Sequence, residues 1–242
     1  MYLLCARKPI TRSSVRFLTF DAAKQPRIRI GSTAPNFVAP STVGDLDFYK
    51  YLGNSWGVLF SHPADFTPVC ATELGEFASL KSEFDTRNVK LIGLSADDLT
   101  KHVNWVKDIQ DISLGGKKFN FPILSDTKKE VAFLYDMVTE EAFRNINKGP
   151  IATIRSLFII DPTKKVRLVM TYPPSVGRNT HEVLRVIDSL QTGDKLGVVT
   201  GVNWKKGDDV IIPPSLSDEA AKEKFGNFKK VKPYLRYAST KK

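Results

Sequence analysis

A chain of 242 residues, 42% of them hydrophobic, is long enough to bury a full core in one large domain or in a main domain with a smaller appendage. Its 36 Lys and Arg against 26 Asp and Glu give a formal charge of +10. Part of the excess precedes the first acid, Asp21 (Arg7, Lys8, Arg12 and Arg16), and much of the rest lies in the tail Lys222 to Lys242. Neither end interleaves bases with aromatics as nucleic-acid motifs do, and no apolar run approaches the ~20 residues that cross a bilayer. Nucleic-acid partners and an integral membrane segment are therefore not expected.

Residues 1–20 mix Arg, Ser and apolar side chains without an acid, as mitochondrial presequences do, so the expected address is mitochondrial, in the matrix. Cleavage near Phe17 to Asp21 would remove Cys5 and leave Cys70 as the one cysteine. One cysteine forms no internal disulfide, and no CxxC or Cys/His cluster offers a zinc site, so neither a metal nor a cofactor is expected.

Gly31 to Val38 reads as a turn leading into a short strand, and Thr42 to Tyr51 as loop with one helical turn. Val58 to Ser61 is a buried strand stopped by Pro63. From Ala71 to Phe84, Leu74, Phe77, Leu80 and Phe84 recur at helical intervals, which puts Cys70 in or just before the first turn. Val89 to Ala96 is a second strand, followed by the turn pair Asp97-Asp98 and a helix over Thr100 to Ile112 with Val103, Trp105, Val106 and Ile109 inward. Gly115-Gly116 breaks that helix, Phe121 to Leu124 is a short strand, and Asp126 or Thr127 caps a helix through Leu134. Arg155 to Ile160 and Val166 to Tyr172 form a hairpin about Asp161 to Lys165, and Thr180 to Leu190 is the next helix. The alternation predicts an α/β fold with a mixed sheet flanked by helices over residues 28–195. Residues 198–242, with Trp204, Pro213-Pro214, a short polar helix near Asp218 to Phe225 and Lys-rich ends, read as a small C-terminal extension domain or arm.

The chemistry concentrates in Pro63-x-x-x-Thr67-x-x-Cys70 and Glu73. A cysteine at a helix start lies beside unpaired backbone N–H groups, whose partial positive charge favours a thiolate. An ordinary thiol, with pKa about 8.5, is only about 3% ionised at pH 7, so such an environment decides whether the sulfur is a nucleophile or an inert small hydrophobe. Thr67 is spaced to bring its hydroxyl near the sulfur and an oxygen bound beside it, Pro63 offers a wall without an N–H, and Glu73 is one turn on, where it can orient an arginine.

This stretch resembles the active site of the peroxiredoxins, whose PxxxT/SxxC motif is matched by Pro63, Thr67 and Cys70. The resemblance runs from Gly31 to about Tyr237. It includes Phe60 to Glu73, Arg155 before SLFIID, Tyr172-Pro-x-x-x-Gly-Arg-Asn179 and the terminal Tyr234-Leu-Arg-Tyr237. His62 before Pro63 and the C-terminal extension are features of the 1-Cys subfamily, whose fold is thioredoxin-like. The resemblance implies that Cys70 attacks a hydroperoxide and becomes a sulfenic acid, with Arg155 and Thr67 completing the site and His62, Glu73 and Arg178 around it. With no cysteine after Cys70, an external thiol must restore it, and the candidates are glutathione with a glutaredoxin or a thioredoxin system. A homodimer is expected by the same resemblance.

Two other readings stand beside this one. Oxidation of Cys70 without turnover would make the protein a peroxide sensor or redox-regulated chaperone. Gly53-Asn-Ser-Trp-Gly57 matches the G-x-S-x-G pattern of serine hydrolases, and some 1-Cys peroxiredoxins carry a phospholipase activity attributed to the equivalent serine. Ser55 precedes a strand instead of following one, however, and Tyr49 and Thr163 stand where that activity's His and Asp are expected. A glycine turn is the preferred reading of this motif. His102 and His181 are read as surface or helix residues.

Overall fold

Strand-length apolar runs assemble into the central sheet of the protein, for which a computed structural model describes residues 20–240; the expected presequence, with Cys5, lies almost wholly outside them. A 3-10 turn at Ala22–Lys24 is followed by β1 (Val38–Ala39), β2 (Leu46–Asp47) and α1 (Phe48–Leu52). Then come β3 (Trp56–Ser61), α2 (Pro68–Ser79), α3 (Lys81–Thr86), β4 (Val89–Ser95), α4 (Leu99–Ser113) and β5 (Ile123–Ser125). The core continues through α5 (Glu130–Leu134), α6 (Glu140–Arg144), β6 (Arg155–Ile160), β7 (Val166–Tyr172) and α7 (Thr180–Leu196). The chain closes with β8 (Val210–Ile211), α8 (Asp218–Phe225), β9 (Lys229–Lys232) and β10 (Leu235–Ala238).

The sheet order is β5-β4-β3-β6-β7. β3 pairs in parallel with β4, and β4 with β5, because helical crossovers join them; β6 runs antiparallel to β3 and to its hairpin partner β7. β3 and β6 are buried along their whole length, as central strands covered on both faces must be. One face packs α2, α4 and α7 through Phe60, Leu74, Phe77, Trp105 and Ile187, and the other packs α1 and α5 through Phe48, Leu59, Ile92 and Tyr135. This is the thioredoxin-like mixed sheet with flanking helices, and residues beyond α7 add a three-stranded sheet ordered β8-β10-β9 around Val198, Trp204 and Ile212.

Several expected elements shift. The helix expected over Ala71 to Phe84 is two helices that meet at Leu80, whose φ −85° and ψ 8° leave the helical ladder. Along α4 the inward stripe is His102, Trp105 and Ile109, so Val103 falls one residue off it and is 46% exposed. His102, read as a surface or helix residue, is on the helix but takes the inward place and is fully buried. Asp126 does stabilise the start of α5, accepting from the N–H groups of Val131 and Ala132, although the residue flanking that helix is Lys129 in a left-handed conformation. Helix α7 runs on to Leu196, where Gly197 at φ 61° and ψ 42° closes it.

Candidate active site

The cysteine loop joins β3 to α2. Pro68 occupies the first turn of the helix, where its missing N–H costs nothing, and the first intrahelical bond runs from Ala71 N–H to Thr67 C=O at 3.0 Å. The N–H groups of Val69 and Cys70 precede that bond and so belong to the unpaired set at the helix start. Cys70 is itself in the first turn and fully buried, while Pro63, Thr67 and Val69 are partly exposed around it.

Arg155, the first residue of β6, brings Nη1 to 3.4 Å from Cys70 Sγ and 2.7 Å from Glu73 Oε2. Its Nε and Nη2 both donate to the Pro174 carbonyl, at 3.1 and 2.7 Å, which fixes the guanidinium plane. Glu73, one turn along α2 from Cys70, also accepts from the backbone N–H, Nε and Nη2 of Arg178 at 2.7, 3.0 and 2.8 Å. Arg178 Nη1 donates to the carbonyls of Ser61 and Ser156, and its guanidinium lies 5.0 Å from the Phe60 ring centre. Burial pushes Arg178 below its ordinary value, with Glu73 opposing the shift. Two buried guanidiniums against one carboxylate leave one positive charge beside the Cys70 sulfur, 3.4 Å from Arg155 Nη1. The arrangement can stabilise a sulfur anion and hold negative charge that develops on an oxygen beside it.

The structure thus brings Cys70, Glu73, Arg155 and Arg178 into one cluster. Thr67 sits at the helix start, with its hydroxyl donating to the Ala64 carbonyl at 2.8 Å instead of to the sulfur; the oxygen lone pairs stay available to accept. His62 is fully buried at the end of β3, and Nε2 is 2.8 Å from Asp65 Oδ1. Asp65 in turn meets His102 Nδ1 at 2.6 Å, so residues that sequence spacing does not group converge in the fold: one ligand-type atom of each of His62, Asp65 and His102 lies within 4.8 Å of the others. Asp65 and His102 were missed as site neighbours. Asp65 lies inside the motif, but His102 gives no signal beyond its place on the inward stripe of α4. Asp97 and Asp98 are the turn and helix-start pair expected, Asp98 capping α4 through Lys101 N–H and Asp97 accepting from Asp65 N–H.

The G-x-S-x-G stretch is structural in its observed contacts. Gly53 closes α1 at φ 54°, a Cβ on Gly57 would lie 2.7 Å from Leu52 Cδ2, and Ser55 is 8% exposed with its hydroxyl on Asn88 Oδ1 at 2.8 Å.

Residues 30–169 match the AhpC/TSA family, and residues 189–227 match the C-terminal domain of 1-Cys peroxiredoxin. This chain is a 1-Cys peroxiredoxin. It is 62% identical over 222 residues to the mitochondrial peroxiredoxin PRX1 of Saccharomyces cerevisiae, covering 92% of this chain and 85% of that one. Against peroxiredoxin-6 of Mus musculus the identity is 47% over 216 residues, covering 86% and 96%. A solved yeast mitochondrial 1-Cys peroxiredoxin, described for its thiol resolving mechanism through glutathione and thioredoxin systems, superposes with a TM-score of 0.82 at 62% identity, covering 88% of this chain and all of that one. Peroxiredoxin 6 of Arenicola marina superposes at 0.83 and 43% identity, covering 89% and all. As a peroxiredoxin the protein is a thiol-dependent peroxidase, and among the described residues no helix is long and apolar enough to cross a membrane.

Proposed function

We propose that Cys70 is the peroxidatic sulfur of a mitochondrial matrix peroxidase acting on hydrogen peroxide and organic hydroperoxides. The observation that carries this reading is the 3.4 Å contact between Cys70 Sγ and Arg155, inside a cluster with one unbalanced positive charge. The thiolate attacks the terminal peroxide oxygen, the O–O bond breaks, and the departing alkoxide or hydroxide takes a proton and leaves as alcohol or water. Arg155, the helix-start N–H groups and Thr67 hold the oxygens in line, Pro63 walls the pocket, and Glu73 with Arg178 keeps Arg155 in place. His62 completes the pocket lining.

The Cys70 sulfenic acid that remains has no resolving cysteine after it in the chain. An external thiol therefore attacks the sulfur, releasing water and leaving a mixed disulfide, which a second thiol reduces. The yeast relative's glutathione and thioredoxin systems supply the candidates: glutathione with a glutaredoxin, or thioredoxin. Residues 28–195 are the peroxidase domain, residues 198–242 a C-terminal peroxiredoxin domain or dimer arm, and residues 1–20 the targeting presequence. Peroxide consumption by the full chain with each reducing system tests the reading. Sustained turnover is expected with at least one of them; loss of one equivalent of peroxide without turnover under both would favour a sensor instead.

A further inference from the structure

The side chains of His62, Asp65 and His102 have no exposed surface, and their hydrogen bonds allow the protons to be counted. The Leu124 carbonyl, 3.1 Å from His102 Nε2, only accepts, so that nitrogen carries hydrogen. The 2.6 Å contact between His102 Nδ1 and Asp65 Oδ2 needs a second proton, and the 2.8 Å contact between His62 Nε2 and Asp65 Oδ1 a third. Burial pushes the Asp65 carboxyl up, but the hydrogen bonds from the two imidazoles outweigh it and hold the group below its ordinary value. With Asp65 as a carboxylate accepting from both histidines, these contacts place hydrogen on both nitrogens of His102 and the one proton of His62 on Nε2. His62 Nδ1 is then a bare acceptor, buried and without a protein partner. Burial pushes the His62 imidazole toward this neutral form.

The same residues fasten the cysteine loop. Asp65 N–H donates to Asp97 Oδ2 at 2.8 Å, and the Thr153 hydroxyl donates to the His62 carbonyl at 2.6 Å. Phe66, between Asp65 and Thr67, is held at φ 57°, a left-handed conformation that a phenylalanine adopts only when its surroundings impose it.

We propose that Asp65 and His102 are positioning residues for the peroxidase reaction, fixing His62 with a bare Nδ1 and holding the Pro63–Cys70 loop against α4 and β5. The proposal rests on the reading of Cys70 as the reacting sulfur and His62 as pocket lining. It makes Asp65→Asn a rescue and Asp65→Ala a loss. In Asp65→Asn the new side-chain amide can accept from His62 Nε2 through its oxygen while its NH2 donates to His102 Nδ1, which preserves both contacts with a neutral His102. Alanine removes both, and His62 is then free to carry its proton on either nitrogen.

The test uses the reduced full chain with 15N-labelled histidine, whose three imidazoles are assigned by the signals lost in His181→Gln, at an exposed site, and in His102→Gln. Each variant's rate constant for hydrogen peroxide is measured by stopped flow. Expected for the wild type are a His62 protonated on Nε2 alone and a His102 protonated on both nitrogens. In Asp65→Asn, His62 stays so, His102 loses one proton, and the peroxide rate stays within about threefold; in Asp65→Ala the rate falls about 10- to 100-fold. A wild-type spectrum with hydrogen on His62 Nδ1 overturns the proposal without any variant, as does an Asp65→Asn rate as low as that of Asp65→Ala. A wild type that leaves peroxide unreacted would remove the assignment of Cys70 itself, a separate failure.

Discussion

Around Cys70 two guanidiniums share one carboxylate, whereas around Asp65 one carboxylate is shared by two imidazoles. Both clusters are buried and both are anchored on residues 62–73, yet their charge sums differ. The Glu73 cluster holds arginines, which cannot give up a proton, and so carries a positive charge that only an anion removes. The Asp65 cluster holds histidines, whose imidazoles can each take up or release a proton. The difference teaches where the fold keeps an electrostatic demand open: beside the sulfur, and not in the neighbouring loop anchor.

Removing the shared carboxylate breaks this contrast most severely. Glu73→Gln leaves Arg155 and Arg178 buried without their counter-ion, and urea unfolding should show a loss of about 3–5 kcal/mol. Asp65→Asn, with its contacts preserved, should lose far less. Arg155→Met removes the cation beside the sulfur, and the peroxide rate constant should fall about 10²- to 10³-fold with the fold retained.

A third buried carboxylate sharpens the comparison because, among the described residues, no cation pairs with it. Asp126 accepts only from backbone N–H groups of α5, and burial pushes it up to about 6 from an ordinary 3.8. A raised folded-state value means that its favourable contribution is full below pH 3.8 and is lost as pH rises through 6. Urea midpoints across this range should therefore move in favour of Asp126→Asn relative to wild type, by up to about 3 kcal/mol at neutral pH. The smallest effect belongs to Ser55→Ala: the loss of one hydrogen bond to Asn88 should cost about 1 kcal/mol in stability and leave peroxide turnover unchanged.

The main sheet was legible because β3, β4, β6 and β7 are apolar runs of strand length, and the β6–β7 hairpin carries its turn in Asp161 to Lys165. β9, exposed along its length and holding three lysines, has no strand pattern to read, and β1, β2 and β8 are two residues long. Within the site, Pro63, Thr67, Cys70 and Glu73 are local enough for spacing to group them. Arg155 and Arg178 entered through resemblance, since no periodicity connects a strand start and a loop to a cysteine 85 and more residues away. His102 stayed hidden because an inward place on α4 is ordinarily filled by an apolar side chain; its burial depends on Asp65 and Leu124, which only the folded chain brings beside it.

In the proposed reaction one sulfur, that of Cys70, reacts with peroxide and needs no partner within the chain. One equivalent of hydrogen peroxide added to the reduced protein, followed within seconds by blocking of free thiols and peptide mass mapping, reads it directly. A single added oxygen on Cys70 and no free thiol there are expected. An unmodified Cys70 thiol in the presence of persisting peroxide would contradict the proposed reaction.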